Sequence, residues 1–283
     1  MDSGVIGSAE VRSADGTTVG FEVTGSGPGL VIVHGTLRAG RHYRDLAAEL
    51  APDFTVYTVD RRGRGGSGPQ GEDYGIDREC EDLAAVIRHT EASFVFGHSY
   101  GGLVALELAL RRPTPPIARL AVYEPAVSVN GGISPAWLPE LDRAVTEGRT
   151  SDGVASVISG LQLAGPLGHV PLRLQKVLVR FIMRGDLADD MRLLLPTVHA
   201  EVLTATGLDS SGGRYSDVTR DTLLLAGERG PNYLREVVET LNAFVPRSES
   251  RVLPKLGHNA PDLDAPDVVA AELRQYFGEA RTR

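Results

Sequence analysis

The chain has 283 residues, a net charge of −8 from 29 Lys+Arg against 37 Asp+Glu, and one cysteine. That acidic balance argues against nucleic acid or an anionic membrane surface as the main partner, since both select a basic face. The single Cys80 excludes an internal disulfide framework and thiolate-rich zinc or iron–sulfur sites.

With 42% hydrophobic and 23% charged residues, the chain reads as a soluble globular protein. Met1-Asp2-Ser3-Gly4 opens no basic-then-apolar leader, and no run approaches the ~20 apolar residues of a membrane-spanning helix. A cytoplasmic protein is expected. No internal repeat is visible.

Leu30-Val31-Ile32-Val33 is the first near-continuous apolar run, the pattern of a strand covered on both faces, and Phe54 to Val59 is the second. Downstream, Gly63-Arg64-Gly65-Gly66-Ser67-Gly68 matches the G-x-G-x-x-G dinucleotide fingerprint letter for letter. That fingerprint requires a helix to open at once on the pyrophosphate. Here Gly68-Pro69-Gln70-Gly71 continues as loop, so no nucleotide cofactor is expected. No compact ligand cluster such as H-E-x-x-H indicates a metal.

Ile76, Cys80, Leu83, Ala84 and Ile87 fall at helical spacing, which makes Cys80 a buried structural thiol rather than a nucleophile. Phe94-Val95-Phe96 is a third strand, Leu103 to Leu110 a helix stopped by Pro113, and Leu120-Ala121-Val122-Tyr123 a fourth strand.

Between about Ala126 and Asp221 the alternation breaks. This stretch reads as helices broken at Pro135, Pro139, Pro166, Pro171 and Pro196, and it is rich in apolar residues from Leu161, Leu163 and Leu167 through Leu172 to Leu195. An insertion that leaves one strand end and returns into the next lies over the carboxyl edge of the sheet, where open α/β sheets bind ligands, and reads as a lid.

Leu223-Leu224-Leu225-Ala226 resumes the strands, and Leu234, Val237, Val238 and Leu241 mark another helix. Arg251-Val252-Leu253 precedes a last helix starting near Asp264, a residue able to cap it. The alternation predicts a doubly wound, mostly parallel α/β sheet.

Gly97-His98-Ser99-Tyr100-Gly101 lies between a strand and a helix. G-x-S-x-G in that setting forces the serine into a sharp turn and exposes its oxygen beside a helix N-terminus, which favours negative charge. Ser99 is the candidate nucleophile. It needs a base, and His258, in the loop after the last strand, is placed to reach the sheet edge. The backbone N–H groups of Tyr100 and Thr36 are the candidate oxyanion donors, with His34 bracing the loop.

These residues together resemble the α/β-hydrolase family over nearly the whole chain. His34-Gly35 looks like the family's oxyanion loop, Asp60-Arg61-Arg62-Gly63-Arg64-Gly65-Gly66-Ser67 like its D-x-R-G-x-G-x-S turn, and the elbow and His258 follow in the family's order. The resemblance implies an α/β-hydrolase core over 1–125 and 221–283 with a helical cap over 126–220.

The family's acid usually stands in a G-x-x-D arrangement. Gly227-Glu228-Arg229-Gly230 puts Gly230 there instead. Glu124, at the end of the strand Leu120–Tyr123, is the preferred substitute, since branches such as the haloalkane dehalogenases take their acid from that strand end. Glu228 and the absence of any acid are the alternatives.

Ser99 excludes the aspartate-nucleophile chemistry of dehalogenases and epoxide hydrolases. The first reading is therefore a serine hydrolase of an ester, lactone or thioester of a hydrophobic small molecule, needing no cofactor. The second is a lyase, cyclase, isomerase or ligand-binding protein that uses the fold without the usual acid.

Overall fold

A computed structural model describes residues 5–113, 115–163 and 170–279. Met1 to Gly4, Pro166 and Leu167 therefore lie outside the described residues.

The five long apolar runs become strands β3 (Gly29–Val33), β4 (Thr55–Val59), β5 (Phe94–His98), β6 (Arg119–Tyr123) and β7 (Asp221–Gly227). They pair in parallel, and β8 (Ser248–Leu253) extends the sheet beside β7. Their apolar character on both faces has a direct structural cause. Val31 and Val33 face one hydrophobic core, and Leu30 and Ile32 face the other.

The helices divide accordingly. Those at Ile76–Thr90 (α2), Tyr100–Leu110 (α3) and Asn232–Phe244 (α9) cover the first face. Arg44–Leu50 (α1) and Pro266–Gly278 (α10) cover the second. The sheet is doubly wound, as the sequence predicts. Cys80 is buried on α2, and burial pushes its thiol up to about 12, far from a reactive thiolate.

Two strands escaped the sequence reading. β1 (Val5–Arg12) and β2 (Thr18–Thr24) form an antiparallel hairpin joined to β4, which makes an eight-stranded sheet of order β1-β2-β4-β3-β5-β6-β7-β8. Residues Ile6 to Glu10 are exposed at this edge, so no apolar run announces them.

Two further expectations need correction. Ala265, not Asp264, precedes α10, and it makes no side-chain cap; Asp264 ends a separate π-helical turn over Ala260–Asp264. Two prolines read as breaks instead sit at helix starts: Pro139 opens α4 (Leu138–Thr146), where its missing N–H costs nothing, and Pro171 immediately precedes α6 (Leu172–Ile182).

Between β6 and β7 the described residues hold α4, α5 (Thr150–Gly160), α6, α7 (Asp186–Leu194) and α8 (Val198–Gly207). Val202 and Ala205 of α8 join the core that covers the first face of the sheet. No helix among the described residues is long and apolar enough to cross a membrane.

Candidate active site

The turn from β5 into α3 places Ser99. Its backbone is held at φ 52° and ψ −120°, a strained conformation for a residue with a Cβ. Hydrogen bonds fix it there: Ser99 N–H donates to Tyr123 O at 3.0 Å, and Ser99 O accepts from Ala126 N–H at 2.9 Å. The tight turn also needs Gly101, where a Cβ would stand 2.1 Å from Val33 O. Strand, turn and helix thus aim Ser99 at the carboxyl edge of the sheet.

Ser99, Thr36, Tyr100 and His258 line one cavity there. Its remaining wall is largely apolar, with Ile133, Leu161, Leu163 and Val202 among the residues contributed from the 126–220 segment. The enclosed space is ≈ 20 Å³, room for one or two water molecules. A larger opening of ≈ 330 Å³ lies between the Gly63–Pro69 turn and Leu193–Leu194, but Ser99 and His258 are not on its wall. The small cavity is the one that holds the chemistry-bearing groups.

His258 donates from Nδ1 to Glu124 Oε2 at 2.7 Å. Glu124 is fully buried at the end of β6, and its own backbone takes φ 43°. Its second oxygen, Oε1, accepts the Gly227 N–H at 2.9 Å. Both carboxylate oxygens are therefore committed, one to the imidazole and one to the backbone of β7. Burial raises the hydroxyls of Tyr123 and Tyr233, and the negative charge of Glu124 raises them further.

Gly230 has a role that its missing carboxylate hides. A Cβ at Gly230 would stand 1.9 Å from Glu124 Oε1. The side chain of Glu124 thus fills the space that any residue larger than glycine at position 230 would need. The two positions are sterically coupled: the carboxylate of Glu124, directly after β6, occupies the space beside Gly230, after β7.

Glu228 is exposed, and its carboxylate accepts Lys255 N–H at 2.8 Å instead of reaching His258. Tyr123 OH donates to Gly257 O at 2.8 Å and steadies the loop that carries the histidine.

His34 directly follows β3, fully buried. Nδ1 faces Gly35 O at 2.9 Å, and Nε2 accepts Arg61 N–H at 3.1 Å, which fixes the neutral tautomer. Tyr43 OH accepts Gly35 N–H at 3.4 Å and also contacts Nδ1 of His98. The ring of His98, which sequence reasoning passed over, lies 4.8 Å from that of His258. His98 thus links the loop at Gly35 to His258 through Tyr43.

Burial, together with neighbouring positive charge, holds both His34 and His98 well below the usual 6.5. The unfolded chain takes up a proton at each near pH 6.5, whereas the folded chain stays neutral. Stability is therefore complete above that pH and falls as pH drops from there toward the depressed folded values. In urea titrations the unfolding free energy is expected to be lower at about pH 5.5 than at about pH 7.5, by on the order of 1 kcal/mol for each histidine. An unchanged unfolding free energy would contradict the buried neutral pair.

The glycine-rich turn over 63–68 spends its amides internally. Gly63 N–H donates to Gly68 O, Gly66 N–H to Asp60 Oδ2, Ser67 N–H to Arg64 O and Gly68 N–H to Thr18 O. These four amides are therefore not free to bind a pyrophosphate.

Residues 30–272 match the model of the alpha/beta hydrolase family. The chain belongs to that family. An alpha/beta hydrolase from Sphaerobacter thermophilus DSM 20745 is similar over 95% of this chain and 100% of its own, with a TM-score of 0.79 and 32% identity.

A pimeloyl-[acyl-carrier protein] methyl ester esterase of Stenotrophomonas maltophilia (strain K279a) is 28% identical over 262 residues, covering 90% of this chain and 95% of the esterase. The uncharacterized hydrolase YraK of Bacillus subtilis (strain 168) is 36% identical over 103 residues, which is 35% of this chain and 38% of YraK. This alpha/beta hydrolase family member thus keeps the family's fold, with the carboxylate of Glu124, directly after β6, hydrogen-bonded to His258.

Proposed function

We propose that this alpha/beta hydrolase is a soluble, cytoplasmic serine hydrolase of an ester, lactone or thioester of a hydrophobic small molecule. The contact between His258 Nδ1 and Glu124 Oε2 at 2.7 Å carries this reading. It gives the imidazole a fixed tautomer with Nε2 free to act as base toward Ser99. A full-length relative named as a methyl ester esterase supports the ester class.

Ser99 Oγ attacks the carbonyl carbon while His258 Nε2 takes the hydroxyl proton. The N–H groups of Tyr100 and Thr36 hold the oxyanion, and Glu124 stabilises the imidazolium. The proton then passes from His258 to the leaving oxygen or sulfur. A water, deprotonated by the same histidine, attacks the acyl-enzyme and frees Ser99.

Residues 126–220 act as a cap in this scheme. Among the described residues the cavity beside Ser99 holds ≈ 20 Å³, less than an ester substrate needs, so substrate binding is expected to widen it. The lyase, cyclase, isomerase or ligand-binding reading rested on Gly230, and the buried carboxylate of Glu124 beside His258 favours the hydrolase over it.

The test is turnover of a panel of medium-chain methyl esters, 4-nitrophenyl esters, lactones and thioesters. The best substrate is expected to reach a kcat/KM of about 10⁴ M⁻¹s⁻¹ or more. Folded protein that leaves the whole panel at the buffer rate would overturn the proposal.

A further inference from the structure

Glu201, on α8, is fully buried. Its Oε1 accepts from Nη2 of both Arg61 and Arg64, which sit in the turn after β4. Its Oε2 is equally buried and has no hydrogen-bond partner among the described residues. An unpaired buried acceptor is costly, so this oxygen calls for a donor, either ordered water or a group on a ligand in the adjoining cavity. Glu201 also forms part of the cavity wall that holds Ser99 and His258, beside Val202 and Ala205 of the same helix.

We propose that Glu201 Oε2 is a specificity-determining acceptor that receives a hydrogen bond from a neutral donor, a hydroxyl or an amide N–H, on the substrate. The inference rests on the hydrolase reading of the site and narrows its substrate class.

Local charge decides between donor types. Arg61 also pairs with Glu79 at 3.1 Å, so two guanidinium groups face two carboxylates, and the neighbouring His34 is neutral. A cationic donor would add an uncompensated positive charge to a buried, balanced cluster. A carboxylate on the substrate would meet an acceptor. A plain alkyl chain would cover Oε2 and leave it unsatisfied. A neutral donor satisfies the oxygen without upsetting the charge.

The position of Oε2 is also fixed in advance. The two arginine contacts hold the carboxylate, and Arg61 is itself seated 4.4 Å from the centre of the Tyr100 ring. Tyr100 follows the nucleophile directly. The distance between a substrate's reacting carbonyl and its donor is therefore set by a rigid chain of contacts, which predicts preference for one chain length.

The test measures binding to the Ser99→Ala protein, so that it reads the contact whether or not turnover occurs. The ligands are methyl esters of three to eight carbons in matched sets, with a hydroxyl, a methyl or a keto oxygen at the same position. A parallel set carries the same groups on the alcohol side.

At one chain length the hydroxyl member is expected to bind about 10- to 100-fold more tightly than the methyl and keto members. In Ser99→Ala/Glu201→Gln, the amide oxygen remains on the arginines and the NH₂ turns to the cavity, so the keto member gains on the hydroxyl member. Equal binding of the hydroxyl and methyl members at every length overturns the inference without any Glu201 variant. So does a hydroxyl-to-keto ranking that Glu201→Gln leaves unchanged. Wild-type turnover of the same esters is read separately: hydroxyl preference without turnover would retain the contact and discard the hydrolase.

Discussion

Ser99→Ala is expected to lower kcat on any ester the protein cleaves by about 10⁵- to 10⁶-fold, because nucleophile and base act as a unit and neither works alone. KM should change little, since the hydroxyl contributes small contact area to the bound ester. The fold should survive: alanine keeps the Cβ and drops only the oxygen, and the φ of 52° is imposed by the bonds to Tyr123 and Ala126. Steady-state rates with purified protein check this, with the unfolding transition as control. A residual rate above about a hundredth of wild type would remove Ser99 from the chemistry.

Glu124→Gln is the second large effect, with an expected loss of about 10⁴-fold in kcat. The amide would keep its oxygen on Gly227 N–H, where Oε1 now accepts at 2.9 Å. Its NH₂ would then face His258 Nδ1, reverse the tautomer and put the ring proton on the nitrogen that has to act as base.

Gly230 supplies a sharper form of the same test. Its backbone is outside the left-handed region, so the obstacle to a side chain there is the carboxylate of Glu124, 1.9 Å from where a Cβ would stand. Gly230→Asp alone is expected to destabilise the protein and displace the acid. Combined with Glu124→Ala, it should restore about 10- to 100-fold of the activity lost in Glu124→Ala, a coupling measured by a double-mutant cycle. Additive losses would show that the two positions do not share one acid site.

What the sequence discloses follows from burial. Strands β3 to β7 contribute to the cores on both faces, so each carries a near-continuous apolar run, and the alternation with α2, α3 and α9 gives the doubly wound sheet. The β1–β2 hairpin is an edge with Ile6 to Glu10 in solvent, and its mixed composition carries no comparable signal. Ser99 is visible because the elbow needs glycines at fixed offsets, and Glu124 because it ends a strand at the carboxyl edge.

Other features depend on three-dimensional contact. Nothing local in Gly227-Glu228-Arg229-Gly230 tells that Gly230 makes room for a side chain 106 positions earlier in the chain, as its approach to Glu124 shows. Glu201 looks like an ordinary helical glutamate until α8 is laid against Arg61 and Arg64. Those arginines belong to a turn whose glycines draw the eye to backbone geometry and away from its charge. His98 is hidden in the elbow motif itself, one residue before the nucleophile, and its contacts with Tyr43 and His258 come from three separate parts of the chain.

The central claim is that Ser99 is activated by His258 held on Glu124. Intact-mass analysis after brief exposure to a fluorophosphonate tests it most directly, with wild type, Ser99→Ala and Glu124→Gln side by side. Wild type is expected to label rapidly and once, Ser99→Ala not at all, and Glu124→Gln more slowly by about a thousandfold or more. Wild type that stays unlabelled, or Glu124→Gln that labels as fast as wild type, would contradict it.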